Sequence, residues 1–393
     1  MRIPLCLLVL AMSAWASDTT ADNLDTPDQT PAAAAATAPA PAPPPPPAKL
    51  NGFVISGLAD GYLSLNFNHP NNPAYRAGGN NQLHNFDLNF GQPELSFAKI
   101  TIDKSDKMLG FHVDAGIGQT MRFIHGADPA AIDHKALRYF EQMYVIAKPG
   151  HTHGTEIDFG QFVTSAGAEV IESTSNWNYT RSFLFAFAIP YYHFGLRTST
   201  PITKTFTAGF QLVSAWNTLA GNNNLNNIGL NTTLTKEKYT WSVVYYEGPN
   251  HPGTLAGKRN LLDSNLLLTP NSKVNFYING DYGRDNRIGT GAGYDQWYGL
   301  AAAAHIQLSK VFAISPRVEF FNDSTGYTTG TKQVLKEGTI TGEYKYNDHM
   351  VARIDYRHDM SNQAFFDRGA QFAKAKAQST VAIGLVYLLG PIK

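Results

Sequence analysis

The strongest constraint in this chain is a period of two, repeated along most of its length and never replaced by a long apolar run. Between 273 and 282 the even positions are Val274, Phe276, Ile278, Gly280 and Tyr282, and the odd positions are Lys273, Asn275, Tyr277, Asn279 and Asp281. One face of such a strand is apolar and the other is wet. The same split places Phe312, Ile314, Val318 and Phe320 opposite Ser315, Arg317 and Glu319. It also places Met350, Ala352, Ile354 and Tyr356 opposite Arg353, Asp355, Arg357 and Asp359. No segment approaches the roughly 18 consecutive apolar residues that a membrane helix needs, and the longest candidate, 183–192, is interrupted by Pro190.

A soluble sandwich would alternate too, so three further features decide the class. The alternating segments run to about ten residues, the length of a tilted membrane strand, where globular strands average about five or six. Aromatic residues collect at the ends of the apolar faces, as Phe312, Phe320, Tyr344, Tyr239, Tyr245, Tyr282 and Tyr356. That is where interfacial girdles sit. Strands read near 51–68, 92–103, 108–119, 137–148, 155–163, 191–200, 204–216, 226–235, 239–247, 259–269, 273–282, 294–307, 311–321, 331–346, 350–359 and 376–389. Short turns alternate with long Gly/Asn-rich loops between them. The expected fold is therefore all-β: a transmembrane, antiparallel, up-and-down barrel of about sixteen strands with short periplasmic turns and long outer loops. An even count puts both barrel termini on the periplasmic side.

Residues 1–16 read as an export signal, with Arg2 in the charged region, an apolar stretch from Ile3 to Ala14, and Ala14-Trp15-Ala16 as a small-x-small cleavage pattern. Residues 17–48 read as an Ala/Pro-rich, disordered periplasmic spacer, because Pro and Ala in such runs cannot build a core. The barrel would occupy 49–393. The one cysteine, Cys6, lies in the signal, so the rest offers no thiolate for catalysis or metal binding. With 31 Lys+Arg against 31 Asp+Glu, nothing attracts nucleic acid over the chain as a whole.

A barrel of this size is too wide for wall side chains to close it. On the three strands from 311 to 359 the inward set is Arg317, Glu319, Glu337, Glu343, Lys345, Arg353, Asp355, Arg357 and Asp359, too balanced to predict an ion preference. Cross-strand ion pairing explains most of them. The connection 164–189 is long and carries its own helical and aromatic pieces, so it needs a surface to pack on. The lumen is that surface. The expectation is a segment folded inward as a constriction, with Glu169, Glu172 and Arg181 facing the water path and Arg197 among the lining candidates. No metal, cofactor or catalytic residue is assigned. His151-Thr152-His153 lacks a third ligand, and Gly289-Thr290-Gly291-Ala292-Gly293 lacks the Lys-Ser/Thr of a phosphate loop.

Phe159-Gly160-Gln161-Phe162-Val163-Thr164, the run Gly167-Ala168-Glu169-Val170-Ile171-Glu172, Asn176-Trp177-Asn178-Tyr179-Thr180-Arg181-Ser182, and Pro190-Tyr191-Tyr192-His193-Phe194-Gly195-Leu196-Arg197 resemble the signature block of the β-barrel porin-2, OmpL-like, family of bacterial outer-membrane proteins. The opening Gly52-Phe53 through Asn66-Phe67-Asn68-His69-Pro70 is similar as well. The resemblance implies an outer-membrane channel and no catalytic residue. The reading is a porin-like channel for passive diffusion of small hydrophilic solutes or ions, set in outer-membrane lipid; a homotrimer is one assembly open to it, with no interface strand marked in the sequence. Two alternatives stand beside it: an outer-membrane barrel hydrolase acting on lipid or peptide, with Ser182 and His193 as a loose pair, and a non-conducting barrel serving as adhesin or envelope tether.

Overall fold

The computed structural model describes residues 49–50, 52–70, 80–128, 132, 135–219, 227–251, 253–289, 293–369 and 373–390. The signal and spacer readings, 1–16 and 17–48, lie outside the described residues.

Sixteen antiparallel strands close into one barrel. They are β1 Phe53–Asn66, β2 Pro93–Ser105, β3 Leu109–Ile117, β4 Phe140–Ala147, β5 Glu156–Val163, β6 Tyr192–Pro201, β7 Phe206–Val213 and β8 Asn227–Lys236. The second half comprises β9 Tyr239–Pro249, β10 Lys258–Leu268, β11 Val274–Asn286, β12 Tyr294–Gln307, β13 Phe312–Asp323, β14 Gln333–Lys345, β15 Met350–Ser361 and β16 Ala377–Leu389. Each strand pairs with its neighbours in sequence, and β16 closes on β1 from Thr380↔Asn66 to Leu389↔Gly57. Short and long connections alternate without exception, so the first and last strands begin and end at the short-turn side. A two-residue strand, Lys49–Leu50, folds back on Phe53 and Val54 at that same side.

The burial is that of a globular protein turned inside out. On β13 the buried residues are Ala313, Ser315, Arg317, Glu319, Phe321 and Asp323, while Phe312 and Val318 are exposed. Lipid is the solvent for the apolar face, and closing the barrel satisfies every strand's backbone without an open edge. Where alternation is weak in the sequence, the structure shows why. The β1–β2 ladder shifts register between Asp60 and Gly61, and the β3–β4 ladder between Asp114 and Ala115. Each shift inserts one extra residue and reverses the in/out parity of the residues beyond it. Those are the strands near 92–103 and 137–148.

The hydrophobic core sits in the lumen. Phe183, Leu184, Phe185, Ala188 and Ile189 from the 164–191 connection pack with Phe86, Met121 and Ile124 from two other long loops and with Trp297 and Phe321 from the wall. Phe86 stands 5.6 Å from both Phe185 and Tyr191, ring centre to ring centre. A short helix, α1 Gln119–Ile124, brings Met121 and Ile124 to this cluster.

Candidate functional site

The chain leaves β5 at Val163 and returns at Tyr192, residues that face each other across the β5–β6 ladder, so the whole of 164–191 is an insertion at one hairpin tip. It turns inward instead of covering the mouth. Irregular backbone inside a barrel has N–H and C=O groups that neither a helix nor a sheet satisfies. The wall supplies the partners. Asn279 Oδ1 accepts from Ala168 N at 3.3 Å, Asp355 Oδ2 from Thr180 N at 2.8 Å, and the two oxygens of Glu319 from Phe183 N and Leu184 N at 2.6 Å each. Arginines take the carbonyls: Arg317 donates to Thr180 O at 2.6 Å, Arg357 to Arg181 O at 2.6 Å, and Arg353 to Ser173 O. Asp60 on β1 accepts from the Ser173 hydroxyl at 2.7 Å and the Tyr179 hydroxyl at 2.8 Å. Trp297 Nε1 donates to Ala188 O at 3.0 Å, and Trp177 lies against Tyr277 and His305. Within the segment the helical pieces are a 3₁₀ turn, Ser173–Ser175, and a π-type turn, Leu184–Ala188, and the run 167–172 is not helical.

The inward charges on β13 to β15 thus do two jobs. Glu343 pairs with Arg353 at 2.6 Å and Glu337 with Arg317 at 3.0 Å, the cross-strand pairs that parity suggests. Arg357 bonds Asp359 at 2.7 Å two residues along its own strand. Arg317, Glu319, Arg353, Asp355 and Arg357 also bond the infolded segment, while Asp359 bonds His84 at 2.9 Å and Gln378 at 2.8 Å; those partners were not legible from alternation. Lys345 lies nearer the short-turn end and pairs with Asp348 at 3.0 Å.

The three charged residues of the segment itself are placed differently from the expectation that all face water. Glu169 is buried, bonding Arg317 at 2.6 Å and accepting from Ser182 N at 2.7 Å. Arg181 is also buried; its guanidinium bonds the carbonyls of Tyr179 and Ile171 and stacks 4.8 Å from the Phe86 ring centre. The segment uses these two charges to satisfy its own backbone and its bond to the wall. Glu172 alone of the three keeps appreciable exposure, 20 % of its side chain.

Glu172 belongs to a cluster that sequence reasoning missed. Lys99 Nζ on β2 donates to Asp114 on β3 at 3.0 Å, to Glu141 on β4 at 2.8 Å and to Glu172 of the segment. The three acids bring carboxylate oxygens within 4.8 Å of one another, a spacing that suits a cation, and the Lys99 ammonium fills that role. His112 bridges Asp103 at 2.6 Å and Asp114 at 3.0 Å. Arg197 on β6 bonds Asp158 at 2.8 Å and covers the Phe162 ring at 4.4 Å. The bulge beside Ala115 reverses the parity of β4, which hid Glu141 from a period-two reading.

Ser182 and His193 do not form a catalytic pair. The Ser182 hydroxyl accepts from Phe185 N at 3.1 Å, while the His193 ring is buried on β6 against Tyr246 at 4.7 Å. His151 and His153 are exposed in the β4–β5 turn, and the 289–293 glycine run lies partly outside the described residues.

Among solved structures the barrel is similar to an anion-selective porin from Comamonas acidovorans, with a TM-score of 0.56 at 12% identity over 86% of this chain and 99% of that one. It is similar also to the outer membrane channel DcaP of Acinetobacter baumannii, with a TM-score of 0.55 at 8% identity over 87% and 99%. OmpT of Vibrio cholerae gives 0.54 at 10% identity over 87% and 99%. At these identities the likeness concerns the fold. No curated protein matches the sequence. The sequence profile of the family described as putative beta-barrel porin-2, OmpL-like, matches residues 52–389. A closed sixteen-strand barrel with an apolar outer face and charged inner wall, matched by that profile over nearly its whole length, belongs to the OmpL-like β-barrel porin-2 family of outer-membrane barrels.

Proposed function

We propose that the barrel is a channel for passive diffusion of small hydrophilic solutes and ions, and that segment 164–189 sets its size limit. The observation that carries this reading is the clamping of the segment. Most of its polar contacts are with β11 to β15 and β1, and further bonds run to β2 through Lys99–Glu172, to β7 through Gln211–Ser165 and to β9 through Ser165 N–Tyr246. Part-exposed inward side chains remain on β2, β3 and β6, as Asp103, His112 and Arg197, and Glu172 is bonded to Lys99 of β2. Water and solutes would pass along that side, oriented by the charges there. The protein acts without covalent chemistry and resides in outer-membrane lipid after export by residues 1–16. OmpT of Vibrio cholerae has been solved in a trimer form, and a homotrimer is the assembly proposed for this chain.

Single-channel conductance of the refolded protein in a planar bilayer tests the reading. Since Val163 and Tyr192 face each other directly, an Asn-Gly turn can replace 164–191 without altering the β5–β6 register. Steady conductance that rises on replacement is the expected outcome. Conductance unchanged by the replacement discards the constriction, and a folded, heat-modifiable barrel with no conductance overturns the channel.

A further inference from the structure

The outer surface carries a feature that diffusion through the lumen does not use. At the long-loop end of the barrel, where β2 starts, β3 ends in α1 and the chain re-enters β4, there is a cavity of ≈ 400 Å³. Its membrane side is formed by Leu95 and Ile117, both exposed on the lipid-facing wall, and by Tyr139. Above them stand Arg122 and Arg138, both exposed. Among the described residues no carboxylate pairs with either guanidinium; Arg138 rests on the Tyr139 ring at 5.1 Å and donates to its hydroxyl at 3.1 Å. The one acid in the lining, Glu94, accepts a hydrogen bond from Gln92 Nε2 at 2.6 Å. The cavity is therefore cationic above and apolar below, and with the long loops outward it would lie where outer-leaflet acyl chains give way to headgroups. Two guanidinium forks favour a phosphate, which they can hold through paired N–H···O bonds. A soluble anion would gain nothing from Leu95 and Ile117, whereas a lipid would lay its chain along them and set its phosphate under the arginines.

We propose that this cavity binds the phosphorylated headgroup of an outer-leaflet lipid. The site rests on the membrane placement of the barrel and is independent of conduction through it. Native mass spectrometry of the full chain in detergent, titrated with diphosphoryl lipid A, tests it. One tightly held lipid is expected, and Arg122→Ala with Arg138→Ala should weaken it about tenfold or more, as the loss of two charge-assisted contacts implies. Lys336→Ala, which removes an exposed cation at the long-loop end of β14, should leave binding unchanged. The dephosphorylated lipid should bind the wild type correspondingly weakly, and this arm reads the proposal even if the double variant fails to fold. Equal binding of the dephosphorylated lipid, equal loss in Lys336→Ala, or full affinity in a heat-modifiable double variant would overturn it. Displacement of the lipid by millimolar inorganic phosphate would reassign the cavity to a free anion and also overturn it.

Discussion

Gly384 on β16 faces the lumen, and a Cβ built there would stand 2.2 Å from the ring of Tyr179. That ring lies against Tyr62 at 6.1 Å and its hydroxyl bonds Asp60, so it has nowhere to retreat. Gly384→Ala should destabilise the folded barrel by about 1–3 kcal/mol, the range for overpacking a filled core. Urea unfolding of the refolded protein followed by heat-modifiable migration checks this, and a neutral result would mean that Tyr179 is loosely held. His84 makes a second prediction. Its ring is fully buried, with Nδ1 2.6 Å from Asp87 and Nε2 2.9 Å from Asp359. Burial alone would lower its pKa and Arg357 opposes its charge, but the Asp87 charge and the two carboxylate bonds prevail and raise it above the ordinary value. A raised folded pKa means that the contact stabilises fully below the unfolded value, about 6.5, and that this stability is lost as pH rises through the folded pKa. The gap in thermal midpoint between wild type and His84→Gln should thus be widest on the acid side and narrow in alkaline buffer. A gap that widens with pH would show His84 to be held neutral.

At the level of the element, segment 164–191 is bound through buried charged groups of the wall. Arg317 is fully buried and joins Glu169, Glu337 and Thr180 O. Arg317→Met would strand two buried carboxylates, a change worth about 3–5 kcal/mol when one member of a buried pair is removed. The expected readout is a lowered urea midpoint together with a noisy conductance as the segment loosens; a quiet channel of wild-type stability would contradict the clamp. Much of the fold was legible in the sequence because a strand that faces lipid on one side and polar lumen on the other must alternate. The register of β13 to β15, with Arg317, Glu319, Arg353, Asp355 and Arg357 all inward, follows from parity alone. Parity cannot say what an inward charge meets. Asp355 and Glu319 read as wall charges, and their role as acceptors for the Thr180, Phe183 and Leu184 amides depends on how a distant loop coils inside the barrel. The Lys99–Asp114–Glu141 cluster escaped for a local reason, since bulges in both flanking ladders reverse the pattern that would have aligned those residues.

For the molecule as a whole, the placement of the segment changes which charges a solute would feel. The balanced set on β13 to β15 is largely consumed by internal pairs and by the segment's backbone, so its neutrality has little bearing on ion preference. The opposite side, toward β2 to β6, carries Asp103, Asp114, Glu141, Asp158 and Glu172 against the permanent cations Lys99 and Arg197. Protonating His112, which sits between two of those acids, would still leave carboxylates in excess. A narrow path lined by an excess of one sign concentrates the opposite ion through the low-dielectric wall around it. The fold is shared with an anion-selective porin, but fold likeness at 12% identity fixes no charge on this wall. The reversal potential in a potassium chloride gradient should therefore show cation preference. Asp103, whose side chain keeps 40 % exposure beside His112, is the most open of these five acids to a passing ion. Asp103→Asn should move the reversal potential toward zero while leaving the fold intact. Anion preference in the wild type, or a potential untouched by Asp103→Asn, would place the conducting path elsewhere in the barrel.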